Sequence, residues 1–204
     1  MRTLRHLTAL DVRRVAWKNG RGVTDELLVL PEGASFEALD FDVRISRATV
    51  STPGPFSAFP GFDRVLVVTD GSGLRLSHGD TALEVRVGPL DPYAFSGDDP
   101  TSATLPDGPV SDFNVILRRG WRRADVRVLR PGARGVRERL SAGDAFVHAL
   151  TGGVDVRLAA GVAEPSHRVL LAPGESALVR DIRVADIVDL SGRGSIAILV
   201  CITR

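Results

Sequence analysis

The chain has 204 residues, 44% hydrophobic and 25% charged, which suits a globular protein of one large domain or two small ones. A single cysteine, Cys201, excludes a disulfide scaffold and a thiolate zinc site, and no run of 18 apolar residues could span a membrane. With 26 basic against 25 acidic residues, the net charge of +1 supplies no global field for nucleic acid or membrane. The N-terminus, Met1-Arg2-Thr3-Leu4-Arg5-His6, lacks the apolar run of a signal peptide, so a cytoplasmic location is expected.

In chain order, Thr8 to Val15 is the best helix candidate, with Thr8 as N-cap and one or two turns expected. Everything after it reads as strand. Short alternating or apolar runs recur at intervals near ten residues, punctuated by 21 glycines and 12 prolines. They include Phe41 to Ser46, Arg64 to Thr69, Leu83 to Val87, Phe113 to Arg118, Ala124 to Leu129, Ala145 to Ala149, Val154 to Leu158, Ala177 to Val179 and Ile196 to Ile202. An internal repeat is visible. Arg64 to Leu76 resembles Ala145 to Leu158, each a strand, a Gly-rich turn and a second strand, with Gly71 and Gly152 being 81 residues apart. Proline turns follow each copy, at Pro89 and Pro173. The rhythm predicts an all-β fold with few short helices: a duplicated cupin-like β-barrel, its halves at 1–120 and 121–204 packed as one compact unit.

Metal chemistry finds little support. The histidines, His6, His78, His148 and His167, are scattered, with no His-x-His pair. His148 lies in an apolar run as a hydrogen-bonded core residue, and His78 precedes Gly79-Asp80 in an expected exposed turn. No metal or other cofactor is expected. Cys201 lies in an apolar strand, where a buried inert thiol is the common case. Nine arginines between Arg118 and Arg139 have only Trp121 interleaved, which argues against nucleic acid in a chain whose default polar residue is Arg.

Three segments stand out against this composition. Trp17 to Glu26 places the only lysine, Lys18, and one of two asparagines, Asn19, in a Gly-flanked turn. Arg44-Ile45-Ser46 leads into Gly54-Pro55-Phe56-Ser57-Ala58-Phe59-Pro60-Gly61-Phe62-Asp63-Arg64, a rigid aromatic loop. Phe95-Ser96-Gly97-Asp98 precedes Gly108 to Arg118. Strand alternation puts Asp42, Arg44 and Ser46 on one face, opposite Phe41, Val43 and Ile45. Asp112, Asn114 and Arg118 likewise oppose Phe113, Val115 and Leu117. Either face alone reads as a solvated surface. Both lining the mouth of a barrel would form a polar pocket in which arginine forks grip a carboxylate and Asn reads an amide or imine.

At these segments the sequence resembles the HutD/Ves family of bacterial cupin-like proteins. The resemblance rests on a Trp-Lys-Asn-Gly-Gly-Gly-x-Thr-x-Glu stretch, an x-Arg-x-Ser strand, and a Gly-Pro-Phe-Ser-x-Phe-Pro-Gly-x-Asp-Arg loop. Phe-x-Gly-Asp and Gly-Pro-x-x-Asp-x-Asn-x-x-x-Arg elements complete it, so that the motifs span residues 17–118. Arg21 departs from the middle glycine, and Val43 stands where the family usually has Trp, which would remove a pocket wall. The resemblance implies a metal-free two-barrel cupin that binds a histidine-pathway metabolite, such as urocanate or formiminoglutamate, as a regulator.

The expected ligand set is Lys18, Asn19, Arg44, Ser46, Ser57, Phe59, Asp63, Phe95, Asp112, Asn114 and Arg118. Arg44 and Arg118 would clamp the carboxylate, Asn19, Asn114 and Ser46 orient it, Lys18 add charge, and Phe59 and Phe95 form a wall. The partner expected is a small carboxylate metabolite, with no nucleic acid and no membrane, and exposed barrel edges allow a homodimer. Binding without catalysis is the leading reading. A metal-free isomerase, lyase or hydrolase using Lys18, Asp63 or Asp112 as acid or base is the second, and a protein-interaction barrel using Arg118 to Arg139 the third.

Overall fold

The computed structural model describes residues 2–17, 22–79, 84–159, 167–183 and 186–203. Strands dominate it. The first are β1 (Thr3–Leu7), β2 (Arg13–Ala16), β3 (Val23–Leu30), β4 (Val43–Val50), β5 (Gly54–Pro55) and β6 (Phe62–Asp70). Next come β7 (Leu74–His78), β8 (Glu84–Val87), β9 (Tyr93–Ser96), β10 (Thr101–Thr104) and β11 (Val110–Arg118). The remainder are β12 (Arg123–Leu129), β13 (Val136–Arg139), β14 (Gly143–Thr151), β15 (Val154–Ala159), β16 (His167–Leu171), β17 (Ser176–Ile182), β18 (Ile187–Ser191) and β19 (Ile196–Thr203). No helix of the described residues is long and apolar enough to cross a membrane.

The expected N-terminal helix is replaced by a single 3-10 turn, Ala9–Asp11. Asp11 closes this turn by accepting the Thr8 N–H at 2.9 Å, and the chain then enters β2, which pairs with β3. Cross-strand ion pairing secures that ladder: Arg14 Nε donates to Asp25 at 2.8 Å.

Two compact units form. One comprises Val12–Arg122 and the other Met1–Asp11 with Arg123–Arg204. The first eleven residues therefore leave the expected N-terminal half, because β1 pairs antiparallel with β17, Leu4 opposite Val179. Each unit has one large and one small sheet. The 12–122 unit carries β2-β3-β4-β11-β6-β9 and β5-β10-β7-β8, and the other unit β1-β17-β14-β19-β12 and β13-β18-β15-β16. The order β4-β11-β6-β9 thus recurs as β12-β19-β14-β17, and β5-β10-β7-β8 as β13-β18-β15-β16.

Apolar alternation fills both units. In the discontinuous unit, Ala145, Val147, Val156, Leu158, Leu171, Leu190 and Leu199 form one core, all buried. In the 12–122 unit, Leu66, Val68, Leu74, Leu76 and Val110 form one cluster and Phe41, Phe59, Phe62 and Ile116 another. Each of the Val, Leu, Ile and Phe side chains among them contributes about 1.5–3 kcal/mol on burial. Register exposes a contrast between the units. Leu66 and Val147 occupy corresponding places, and their partners on the next strand are Asn114 and Leu199. One step along, Asp112 opposite Val68 corresponds to Ala197 opposite Ala149. The 12–122 unit is polar where the other is apolar.

Candidate functional site

Three rows of inward-facing residues define the site. Arg44, Ile116 and Arg64 stand side by side on β4, β11 and β6. The next row is Glu26, Ser46, Asn114 and Leu66, and the third Thr24, Ala48, Asp112 and Val68. Glu26 and Asp112, the two carboxylates among them, each adjoin a register shift, between Glu26 and Leu28 on β3 and between Ser111 and Asp112 on β11. Such bulges re-aim side chains beside functional sites.

These rows face a cavity of about 830 Å³, whose lining includes Trp17, Phe36, Arg44, Ser46, Phe56, Ser57, Phe59, Arg64, Asp112 and Asn114. Its polar residues are bonded into two chains. Arg44 Nε donates to Glu26 Oε1 at 2.7 Å, and its guanidinium stacks on Phe36, 4.7 Å from the ring centre. Arg64 donates to Asn114 Oδ1 at 2.9 Å and to the Ser57 carbonyl at 3.2 Å, while Asn114 Nδ2 donates to Asp112 Oδ1 at 2.6 Å. Three rings cage the Arg64 guanidinium: Phe95 at 4.8 Å, and Phe56 and Phe59 both at 5.3 Å. Its Nε is buried without a hydrogen-bond partner among the described residues.

Burial dominates the electrostatics. It pulls Arg64 down to about 10 against the favourable charge of Asp112, and the charge of Arg44 adds to the fall. Burial also pushes Asp112 up to about 7, opposed by Arg64, the Asn114 amide and the Ala48 N–H.

Of the residues expected from sequence, Arg44, Ser46, Asp112 and Asn114 converge in the cavity, and Ser57 and Phe59 line it. Phe95 reaches it through the Arg64 cage. Lys18 and Asn19, like Arg21, lie outside the described residues. Asp63 sits one position from Arg64 and so faces the other way, exposed and bonded to Arg119 at 2.9 Å. Arg118 shares the parity of Asn114 but ends β11, where it turns to Asp42 Oδ1 at 3.2 Å and to the Leu39 and Phe41 carbonyls at 2.7 and 2.9 Å. It clasps a loop and does not line the cavity. Val43 is buried on the face opposite Arg44, so the change from Trp there does not alter the cavity wall.

The structure adds Arg64, Glu26, Phe36 and Phe56 to the residues expected from sequence. Arg64 was legible, because it shares the parity of Leu66 and Val68 within one run. The loop motifs have structural reasons. Asp98 Oδ1 accepts the Gly61 N–H at 2.6 Å, tying the Phe95-Ser96-Gly97-Asp98 element to the aromatic loop. Gly22 leaves room for Trp17, since a Cβ there would approach the indole to 2.9 Å.

The other single residues read from sequence divide. His148 is buried and bonded to Ser176 at 2.9 Å, and Cys201 is buried, its thiol pushed up to about 11 by desolvation. His78 is no exposed turn: it ends β7 half-buried, bonded to Thr101 at 3.0 Å and Tyr93 at 3.1 Å. Cupin barrels commonly hold a divalent metal. The inward groups here do not fit one: among the described residues no imidazole lines the cavity, Glu26 is taken by Arg44 and Asp112 by Asn114, and two arginine cations stand beside them.

Paired large and small sheets around a polar cavity define a cupin-like protein. The fold matches Bacillus subtilis oxalate decarboxylase with a TM-score of 0.67 at 8% identity, covering 96% of this chain and 76% of that one. Residues 9–197 match the HutD family model, and the chain belongs to the HutD family. HutD from Pseudomonas fluorescens SBW25, solved in a formate condition, superimposes with a TM-score of 0.77 at 27% identity, covering 99% of this chain and all of that one. An uncharacterised 21.2 kDa protein of the hutC 3′ region of Pseudomonas putida is 39% identical over 117 residues, 57% of this chain and 59% of that protein. The chain spans about three-fifths of the length of the curated relatives it matches.

Proposed function

We propose that the protein is a metal-independent binding protein for a small carboxylate metabolite, urocanate or formiminoglutamate, acting in the cytoplasm to regulate histidine utilisation. The observation that carries this reading is the placement of Arg44 and Arg64 on one face of three adjacent strands, within a cavity walled by Phe36, Phe56 and Phe59. Planar guanidinium groups bind carboxylates through parallel N–H donors, and aromatic walls suit a flat ligand. Family membership and the hutC-adjacent relative support the pathway. The recurring strand order supports a duplicated cupin barrel in which the 12–122 barrel binds and the other is scaffold.

The test is thermal unfolding against urocanate, formiminoglutamate, histidine, glutamate and formate, with Arg64→Met beside the parent. A ligand at 100 times its Kd adds about 2.7 kcal/mol, a rise of roughly 5–10 °C for a chain this size. The expected result is such a rise for urocanate or formiminoglutamate, lost in Arg64→Met. No rise with any of the five overturns the reading.

A second reading rests on Asp112. A cavity-lining carboxyl held near 7 by burial suits general acid–base catalysis at neutral pH. Chromatography of urocanate and formiminoglutamate after long incubation separates the two readings, since a binding protein returns both unchanged.

A further inference from the structure

Charge balance limits what the cavity can accept. Among the described residues, four buried charged side chains face inward from the large sheet of the 12–122 unit: Glu26 on β3, Arg44 on β4, Arg64 on β6 and Asp112 on β11. All four are more than nine-tenths buried. Glu26 and Arg44 cancel each other at 2.7 Å. At the rim, the exposed Arg13 of β2, opposite Glu26, lies 3.7 Å from Glu26 and 3.6 Å from the cavity-lining Glu37, so that Arg13 and Glu37 together add no net charge. That leaves Arg64 and Asp112, joined through the Asn114 amide.

With Asp112 ionised, this second pair also cancels, and an entering anion becomes a net buried charge, which a low-dielectric site penalises by several kcal/mol. With Asp112 protonated, Arg64 stands uncompensated and one anionic group restores neutrality. The partnerless Arg64 Nε lies at the same point of the network.

We infer that the cavity takes up a monoanion together with one proton, carried on the Asp112 carboxyl, so that Asp112 sets the charge of the ligand the site selects. This rests on the carboxylate reading above. The proton comes from solvent, and no bond of the ligand changes. Asp112 is poised for the exchange, since burial holds it near neutrality and an adjacent anion raises it further. Two selections follow. A dianion is refused unless it brings a second proton, and a neutral analogue binds with no dependence on the state of Asp112.

Calorimetry of urocanate binding tests this between about pH 7.5 and 9, where the ligand's carboxylate is ionised and its ring neutral. Titrations in two buffers of different ionisation enthalpy count the protons. The expected result is an uptake approaching one proton per ligand, with affinity falling roughly 20-fold across this range as the protonated fraction of Asp112 shrinks. Asp112→Asn, which keeps an acceptor for Asn114, should bind with a flat pH profile and near-zero uptake. Binding by the parent that is pH-independent and proton-neutral overturns the proton linkage and leaves the carboxylate site standing. No binding at any pH overturns both. An uptake that persists in Asp112→Asn assigns the proton elsewhere and also overturns the inference.

Discussion

Arg44 and Arg64 stand level on the same face of one sheet, with only the strand carrying Ile116 between them. Two strand spacings put their backbones roughly 10 Å apart. Their buried like charges repel, and Arg44 contributes to the lowered pKa of Arg64. Glu26 and Asp112 are the counter-charges that let the fold keep both.

The Glu26–Arg44 pair should show the asymmetry of buried ion pairs. Arg44→Met leaves the buried Glu26 charge with only the exposed Arg13 at 3.7 Å and is expected to cost about 3 kcal/mol, whereas the double variant Arg44→Met/Glu26→Gln recovers most of that loss. Urea unfolding of the two variants and the parent measures the difference.

Asp112 should tilt the pH profile of stability. Its folded pKa, about 7, lies above the unfolded value near 3.8. Between these values the unfolded chain binds fewer protons than the native one, so the contribution of Asp112 to stability falls as pH rises and levels off above 7. The fall is on the order of a few kcal/mol. Asp112→Asn should flatten it, gaining on the parent more at about pH 8 than at about pH 4.5 in urea midpoints.

Gly97 is required by close approach. A Cβ there would lie 2.5 Å from the Phe59 carbonyl and 2.8 Å from that of Phe62. Gly97→Ala is expected to cost about 1–3 kcal/mol through overpacking. Gly132→Ala, with nothing within 4 Å of the added methyl, should stay within about 0.5 kcal/mol. Denaturant midpoints compare the two.

Trp17 lines the cavity, whereas Trp121 is 67% exposed. In Trp121→Phe, the remaining indole fluorescence should change on titration with a bound carboxylate, and iodide should quench it weakly. In Trp17→Phe the ligand should be spectroscopically silent.

Asp63 is bonded outward to Arg119, so Asp63→Asn should leave carboxylate affinity within about twofold of the parent and stability within about 0.5 kcal/mol. A larger loss of affinity in the thermal-shift titration contradicts its placement outside the cavity.

The strands were legible because period-2 alternation survives along most of them, and that rule also brought Arg44, Ser46, Asp112 and Asn114 to one face. It failed where the chain breaks the period. Glu26 adjoins a bulge, which moves its neighbours out of step. Arg118 has the right parity at a strand end, where its long side chain turns to Asp42 and two carbonyls. The motif ending Asp63-Arg64 drew attention to the carboxylate, although adjacent strand residues cannot share a face. Thr8 to Val15 offered a capping residue but lacked an apolar stripe, and cross-strand pairing with β3 took Arg13 to Ala16 instead. His78 gave no sign of the Tyr93 and Thr101 side chains that hold it, because both come from strands far along the sequence.

The 12–122 unit interrupts the other one, entering after Asp11 and leaving before Arg123. On the ribosome this separates the two in time. The 12–122 unit is a continuous segment that can close as soon as Arg122 emerges, while β1 must wait for β17, whose last residue is Ile182. At typical elongation rates the delay is roughly 3–12 s. For that interval β1 is an unpaired strand tethered to a finished unit, exposed to chaperones and to other nascent chains.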